Sequence, residues 1–112
     1  MFYLESPSTD PAFNLALEQY VFDHLSRHGE FFMLWQNTDF VVVGLHQNTA
    51  EEINRPYIEQ NGIAVVRRLS GGGAVFHDLG NLNFTIISDA PDEEKLDFRV
   101  SSRPITEALN EL

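Results

Sequence analysis

Apolar and polar positions along the chain predict an alternation of strands and helices. The apolar start Met1–Glu5 is typical of a short strand, and Asp10 followed by Pro11 is typical of a helix N-terminus. Apolar residues then recur at steps of three and four until Gly29, which predicts one amphipathic helix packed on a sheet. The residues of this apolar face are Phe13, Leu17, Tyr20, Val21 and Leu25.

Two apolar runs rich in β-forming residues follow the helix, at Phe31–Gln36 and Phe40–Leu45. The polar connection Asn37-Thr38-Asp39 is short enough for a tight turn. The pattern therefore predicts a hairpin in which the two runs are antiparallel neighbours.

The rest of the chain predicts two helices and three strands. A polar stretch at Glu51–Gln60 is typical of a short helix that starts or breaks near Pro56, with Gly62 closing it. A second helix is predicted over Val100–Leu112, after an acidic surface loop at Asp89–Asp97. The strands are predicted at Ile63–Arg68, Ala74–His77 and Asn83–Ser88.

The composition indicates one soluble domain and excludes several classes of function. The chain has 112 residues, of which 43% are hydrophobic, and this is enough for a core. A net charge of −10 argues against nucleic-acid binding. No apolar run reaches the roughly 18 residues of a membrane span, and no signal peptide is visible. The absence of cysteine excludes a cysteine nucleophile or thiolate metal site within these residues, and it fits the cytoplasmic location that we expect.

The segment from Arg67 to Asn81 is the strongest candidate for chemistry, because two arginines precede three consecutive glycines between predicted strands. Its sequence is Arg67-Arg68-Leu69-Ser70-Gly71-Gly72-Gly73-Ala74-Val75-Phe76-His77-Asp78-Leu79-Gly80-Asn81. Consecutive glycines let a backbone bend sharply or approach a ligand closely, and the arginines indicate that this ligand is an anion.

Two common phosphate-binding motifs are excluded at this loop. A P-loop has a lysine and a hydroxyl residue after its last glycine, whereas Ala74 and Val75 follow here and the only lysine is Lys95. A dinucleotide fingerprint lies between a strand and a helix, whereas this loop lies between two predicted strands. Two interpretations remain. In the first, N–H groups of the loop line a ligand while an arginine pairs with a phosphate. In the second, the segment is a glycine-rich hairpin with Arg67 and Arg68 solvated.

Other polar and aromatic side chains have structural interpretations beside the functional ones. Trp35 could wall an apolar ligand or belong to the core. His77 is more typical of a structural hydrogen bond, and Asn81, after Gly80, of a local turn. No histidine or cysteine pair has metal-ligand spacing, so no metal site is predicted. The acidic residues Asp89, Asp92, Glu93, Glu94 and Asp97 are typical of a solvated loop.

The segment from Arg67 to Asn81 resembles the signature of the lipoate-protein ligase A family, in the biotin and lipoate ligase superfamily. Further resemblance lies in Asn14-Leu15-Ala16-Leu17-Glu18, Leu34-Trp35-Gln36-Asn37, Val41-Val42-Val43-Gly44 and Gln47-Asn48. It implies an α+β fold related to class II synthetases, with a mixed, mostly antiparallel sheet flanked by helices. It also implies that residues 1–112 are the N-terminal part of a catalytic domain.

For function, the resemblance implies ATP-dependent, AMP-forming protein lipoylation. The carboxylate of lipoate attacks the α-phosphate of ATP with Mg²⁺ present, which gives lipoyl-AMP and pyrophosphate. A lysine of an acceptor lipoyl domain then takes the lipoyl group. The implied acceptors are the lipoyl domains of 2-oxoacid dehydrogenase complexes or the glycine cleavage H protein.

The resemblance also implies roles for individual residues. The ATP and adenylate contacts are Arg68, Gly73, Ala74, Val75 and Phe76. The lipoate contacts are Ser70, Gly71, Gly72, Trp35, His77 and Asn81.

One family feature is missing from these residues. Family members carry a lysine that contacts the acyl group and the adenylate phosphate in a stretch beyond Leu112, and Lys95 does not match it. We therefore expect an incomplete domain without a catalytic residue, completed by a further segment or a second chain. Two alternatives stay open: a non-catalytic module that binds lipoate or the adenylate, and an ATP-independent octanoyl or lipoyl transferase.

Overall fold

The computed structural model describes residues 1–89 and 98–112. These residues contain β1 (Phe2–Glu5), α1 (Pro11–Tyr20), β2 (Phe31–Trp35), β3 (Phe40–Val43), α2 (Thr49–Glu52), α3 (Arg55–Asn61), β4 (Ala64–Arg67), β5 (Val75–His77), β6 (Asn83–Ile87) and α4 (Phe98–Asn110). Lys95 and most of the predicted acidic loop, at residues 90–97, lie outside the described residues. Within the described ranges, no helix has the length and apolar character needed to cross a membrane.

The described strands form two mixed sheets of three strands each. In the first sheet, β2 lies between β1, which is parallel to it, and β6, which is antiparallel. In the second sheet, β3 lies between the parallel β4 and the antiparallel β5. The α+β class and the mixed pairing are confirmed, although parallel and antiparallel pairs are equally frequent where a mostly antiparallel sheet was expected.

The predicted hairpin between the runs at 31–36 and 40–45 is wrong, because β2 and β3 belong to different sheets. Both runs are apolar because each is the central strand of its sheet, with a neighbour on either edge. The connection between them is held by the N-terminal segment instead of by a turn. Asn37 is fully buried and accepts a hydrogen bond from Asn14 Nδ2 at 2.7 Å, and the Thr38 N–H donates to the Thr9 carbonyl at 2.9 Å.

Helix α1 begins as the sequence predicts. Asp10 Oδ1 accepts a hydrogen bond from the Phe13 N–H at 2.8 Å, and Pro11 occupies the first helical position. The predicted apolar face is confirmed at Val21, which is buried, but wrong at Phe13 and Tyr20, which are about half exposed.

The helical path continues beyond Tyr20, although not as regular α-helix. A π-helical stretch at Val21–Leu25 and a 3₁₀ turn at Ser26–His28 carry it to the predicted stop at Gly29, where φ is 139°. Only glycine adopts this φ readily, so the residue that ends the helix is the one the sequence indicates.

Asn14 ties the start of α1 to the end of β2. Its side chain is buried, and Nδ2 lies 2.8 Å from the Gln36 carbonyl and 3.0 Å from the Ser8 carbonyl. Its Oδ1 accepts a hydrogen bond from Ser6 Oγ. Because buried polar atoms are costly when unpaired, this network fixes the helix over the first sheet.

The core lies between α1 and the first sheet, and the second sheet adds its own buried residues. The buried cluster consists of Val21, Met33, Trp35 and Ile87, with Leu4, Leu15, Leu17, Leu25 and Phe31 packed against it. In the second sheet the buried positions are Phe40, Val42 and Val43, all on the central strand.

Candidate functional site

The glycine loop, residues 68–74, crosses the end of β3 to connect β4 to β5. These two strands do not pair with each other; they lie on opposite edges of β3, so the hairpin interpretation is wrong. The crossing is close, since a Cβ added to Gly44 at the end of β3 would lie 2.1 Å from the Gly72 carbonyl oxygen. Two backbone hydrogen bonds fix it: Arg68 N–H to the Val43 carbonyl at 3.0 Å and Leu45 N–H to the Ser70 carbonyl at 2.9 Å.

The three glycines have different reasons to be glycine. Gly72 has φ 98°, and a side chain there would also meet the Arg68 guanidinium at 2.8 Å. A Cβ on Gly71 or Gly73 would meet nothing within 4 Å, so open space lies beside both residues. Within the described residues, the N–H groups of Gly71, Gly72 and Gly73 donate to no protein acceptor. Such a loop can offer N–H donors to an anion.

Arg68 is partly buried, and its guanidinium lies against the glycine loop. Its Nη2 donates to the carbonyls of Gly71 at 2.7 Å and Gly73 at 2.8 Å, and its Nε also reaches the Gly71 carbonyl at 3.2 Å. The interpretation of Arg68 as a solvated strand residue is therefore wrong. Its positive charge is held directly beside the N–H groups of the loop.

Arg67 is exposed to solvent but is bonded to the chain just after β3. Its Nη1 donates to the carbonyls of Gly44, Leu45 and Gln47 at 2.8, 3.2 and 2.8 Å, and its Nη2 donates to Thr49 Oγ1 at 2.7 Å. The sequence did not indicate this role, because the acceptors are three backbone carbonyls and one hydroxyl that lie about 20 positions earlier. Arg67 therefore organises the turn that leads into α2.

A cleft of about 690 Å³ lies beside the start of the glycine loop, between α1 and β6. Its apolar walls come from Leu15, Ala16, Phe22, Leu69, Ile86 and Ile87, and its polar groups include Glu18, Arg67, Arg68, Ser70 and Thr85. An apolar channel with a guanidinium at one side suits a ligand with an aliphatic body and an anionic group.

A chain of hydrogen bonds runs from the core to this cleft. The indole N–H of Trp35 donates to Thr85 Oγ1 at 3.2 Å, and the Thr85 hydroxyl donates to Glu18 Oε1 at 2.5 Å. Trp35 is 8% exposed and belongs to the core cluster, whereas Glu18 and Thr85 line the cleft. Sequence reasoning singled out neither Glu18 nor Thr85 as a site residue, and only the resemblance in Asn14-Leu15-Ala16-Leu17-Glu18 hinted at the first.

His77 lies between aromatic residues of the two sheets. Its ring centroid is 4.9 Å from that of Phe40, edge-on, and 6.1 Å from that of Trp35. Burial lowers the pKa of His77, and the positive charge of Arg68 lowers it further, so the neutral imidazole is favoured. Its buried Nδ1 has no hydrogen-bond partner in the described structure, so the structural bond predicted for this residue is not made by Nδ1.

The remaining predicted residues lie further along the loop. Ala74 is partly buried and Val75 is about half exposed. Phe76 lines a second groove, of about 520 Å³, between β3 and α3, so its side chain lies apart from the cleft residues. The predicted local turn at Asn81 is confirmed, because its Oδ1 accepts a hydrogen bond from the Asp78 N–H at 3.2 Å.

Acidic and histidine side chains do not gather into a metal site in the described part of the chain. Across residues 1–89 and 98–112, no group of three such side chains is placed to hold an ion.

Known proteins with similar sequences include two lipoate-protein ligases. The chain is 47% identical over 103 residues to lipoate-protein ligase LplJ of Bacillus subtilis (strain 168), which covers 92% of this chain and 31% of that protein. It is 46% identical over 104 residues to lipoate-protein ligase 1 of Staphylococcus aureus, with 93% and 32% covered. The chain thus spans about a third of the length of the curated relatives it matches.

Solved structures with a similar fold include ligand complexes. P. falciparum LipL1 in complex with lipoate matches with a TM-score of 0.76 and 30% identity, covering 93% of this chain and 33% of that one. Lipoate-protein ligase A bound with ATP matches at 0.75 and 29%, covering 96% and 43%. The bipartite lipoate protein ligase of Thermoplasma acidophilum, described with its E2 lipoyl domain, matches at 0.74 and 30%, covering 96% and 42%.

The family comparison agrees with the loop, the cleft and these relatives. Residues 10–112 match the family described as the lipoyl protein ligase A/B catalytic domain, which includes every residue of the glycine loop. The chain belongs to the lipoyl protein ligase A/B catalytic domain family.

Proposed function

We propose that this chain is part of a lipoate-protein ligase and forms the N-terminal part of its catalytic domain. The enzyme activates lipoate with ATP to lipoyl-AMP and transfers the lipoyl group to a lysine of an acceptor lipoyl domain. The observation that carries the proposal is the position of Arg68 and the glycine loop at the side of an apolar cleft. In this arrangement the binding sites for an aliphatic acid and for a phosphate are next to each other.

In this proposal the cleft binds lipoate by its apolar body. The dithiolane and aliphatic chain lie along side chains such as Leu15, Phe22 and Ile87, and the carboxylate points toward Ser70 and the glycine loop. Gly71 and Gly72 give the adjoining backbone its shape. Trp35, His77 and Asn81 support the cleft wall or the loop from the side away from lipoate. Holding both reactants in one geometry supplies much of the rate enhancement.

The glycine loop binds the phosphates of ATP. Arg68 exchanges one or more of its loop carbonyls for phosphate oxygens. In this proposal the adenylate accepts hydrogen bonds from N–H groups between Gly73 and Phe76. As the lipoate carboxylate forms a bond to the α-phosphorus, the bond to the pyrophosphate leaving group breaks and negative charge accumulates. Preorganised donors and a fixed cation stabilise that charge without reorganisation.

Magnesium enters this scheme with ATP, as part of the substrate. The described residues offer no ligand cluster of their own, so phosphate oxygens and water are the expected ligands. In the second step a lysine amine of the acceptor attacks the lipoyl carbonyl and AMP leaves. No residue of this chain acts as a nucleophile.

The similar proteins support the choice of substrates and acceptor. One is described with lipoate, one with ATP and one with an E2 lipoyl domain. We propose acceptors of that kind, namely lipoyl domains of 2-oxoacid dehydrogenase complexes or the glycine cleavage H protein. We also propose a cytoplasmic location, which a chain without cysteine fits.

The transferase alternative remains a candidate because the family description covers both A and B types. The curated relatives at 46–47% identity are ligases, which favours the ATP-dependent reaction. A non-catalytic binding module is the other alternative, in which Arg68 and the glycine loop bind the adenylate without turnover.

Exchange of labelled pyrophosphate into ATP tests the proposal with the complete protein. We expect exchange that requires lipoate, followed by transfer to a lipoyl domain. Transfer from an octanoylated or lipoylated carrier protein without ATP would identify a transferase instead. Calorimetric binding of ATP or lipoyl-AMP without turnover would identify a binding module.

A further inference from the structure

We propose that Arg67 is a positioning residue for the adenylate-binding loop and acts through the turn at residues 44–49. The inference rests on the proposed function for its effect on activity. The structural role of Arg67 is inferred from hydrogen bonds and packing alone. Arg67 and Arg68 are adjacent in sequence, but their guanidinium groups have no acceptor in common.

The Arg67 guanidinium donates hydrogen bonds to several carbonyl groups of the turn. Three carbonyl oxygens, those of Gly44, Leu45 and Gln47, lie within 3.2 Å of Arg67 Nη1. Carbonyl dipoles that converge on one point repel one another unless a cation lies between them. The charge of Arg67 is therefore what allows this turn to keep its shape.

Hydrogen bonds between residues of the turn also hold it closed. The Gly44 N–H donates to Gln47 Oε1 at 2.8 Å, and the Gln47 N–H donates to the Gly44 carbonyl at 3.2 Å. Arg67 Nη2 adds a bond to Thr49 Oγ1, the first residue of α2. The guanidinium thus joins β4, the turn and the start of α2 into one unit.

This unit is in direct contact with the glycine loop. Leu45 in the turn donates its N–H to the Ser70 carbonyl, and Gly44 lies so close to Gly72 that no side chain fits between them. A shift of the turn by even 1 Å therefore moves the backbone of Ser70 and Gly72. Catalytic geometry is sensitive to displacements of roughly this size.

These contacts give the two arginines different roles. Arg68 lies against the loop carbonyls and faces the proposed phosphate, whereas Arg67 holds the support on which the loop rests. A lysine at position 67 could approach the converging carbonyls, but its single ammonium lacks the fork that also reaches Thr49. The site therefore favours arginine at both positions for different reasons.

The test compares Arg67→Ala and Arg67→Lys with Arg55→Ala in the complete protein. Arg55 is a matched control because it is an exposed arginine that forms a salt bridge with Glu59 on its own helix. In pyrophosphate exchange, we expect Arg67→Ala to raise the KM for ATP by about tenfold or more, because a displaced glycine loop no longer holds its donors in the binding geometry. Arg67→Lys should be intermediate, and Arg55→Ala should match the wild type.

Amide hydrogen exchange supplies a readout that does not depend on activity. In Arg67→Ala, the N–H groups of Leu45 and Arg68 should exchange faster, because they bond the turn to the loop and the loop to β3. The N–H groups of Met33 and Phe32 in the first sheet should keep their protection. Unchanged exchange at Leu45 and Arg68 would overturn the proposal, as would an equal acceleration at all four amides.

The two proposals fail in different ways. If the wild type shows no lipoate-dependent pyrophosphate exchange, the ligase proposal fails, while the hydrogen-exchange pattern still decides the role of Arg67. If Arg67→Ala does not fold, Arg67→Lys carries the comparison, because it keeps the charge and loses only the fork. Wild-type KM and exchange rates in Arg67→Lys would then overturn the requirement for arginine.

Discussion

At the scale of single residues, the two consecutive arginines show how one side-chain type takes two roles. Arg68 bonds carbonyls of the glycine loop, three and five positions ahead, and Arg67 bonds atoms about 20 positions behind. The sequence indicates the anion-binding character of the pair, because cations beside glycines are a local pattern. It does not indicate which arginine lies against the glycine loop, because that depends on how β3 lies between β4 and β5.

Replacing Arg68 with alanine should strongly impair adenylate formation. The substitution removes the cation beside the proposed phosphate, and losing a charge-assisted hydrogen bond costs about 1.5–3 kcal/mol, or roughly 10- to 150-fold. Lipoate-dependent pyrophosphate exchange by the complete protein measures the effect. Arg103→Ala is the control, since Arg103 forms an exposed pair with Glu107 within α4. An exchange rate like that of the wild type would contradict the assignment of Arg68.

His77 should make stability depend on pH in the acidic range. Burial, then the charge of Arg68, lowers the pKa of His77 from 6.5 in the folded protein, so the folded state binds fewer protons than the unfolded chain. The stabilisation is fully present above about pH 6.5 and is lost as the pH falls through the lowered pKa. We expect the melting temperature to fall between pH 7.5 and 5.5 more steeply for the wild type than for His77→Gln. The two proteins differ only at position 77, so equal slopes would rule out this role.

At the scale of elements, the sequence predicted most segments but not how the strands pair. The N-cap at Asp10 and the stops at Gly29 and Gly62 are local signals, and each is found where predicted. The pairing of β2 with β1 and β6 depends on segments far apart in the chain. Asn37 shows why the hairpin prediction failed: a typical turn residue is fully buried here, where it bonds Asn14 of α1.

The close crossing of β3 and the glycine loop predicts a position-specific response to alanine. Gly44→Ala places a Cβ 2.1 Å from the Gly72 carbonyl, so the loop must move away. Overpacking of this kind costs about 1–3 kcal/mol. Gly71→Ala is the matched control, since its Cβ meets nothing within 4 Å. Urea unfolding should show a lower midpoint for Gly44→Ala and a near wild-type midpoint for Gly71→Ala; equal midpoints would mean that the crossing is not tightly packed.

At the scale of the whole molecule, the cleft depends on how the two sheets lie together. One wall is built by β6 of the first sheet and the other by residues that follow β4 of the second. His77 bridges the sheets through Phe40 and Trp35, and Gln36 Nε2 adds a hydrogen bond to the Leu79 carbonyl at 2.9 Å. The glycine signature is visible in sequence, but the apolar half of the site appears only when α1, β6 and the loop are brought together.

The hydrogen bonds among Glu18, Thr85 and Trp35 join α1, β6 and β2, so a single hydroxyl supports the assembly around the cleft. Thr85→Val keeps the side-chain volume but leaves the indole N–H and the carboxylate without this partner, which should destabilise the protein by about 1–3 kcal/mol. Thr85→Ser keeps the hydroxyl and should cost less. We expect a lower urea midpoint with an unchanged m-value for Thr85→Val, and a raised KM for lipoate, because Glu18 and Thr85 both line the cleft. If the valine and serine variants behave alike in both measurements, the hydroxyl does not hold these elements together.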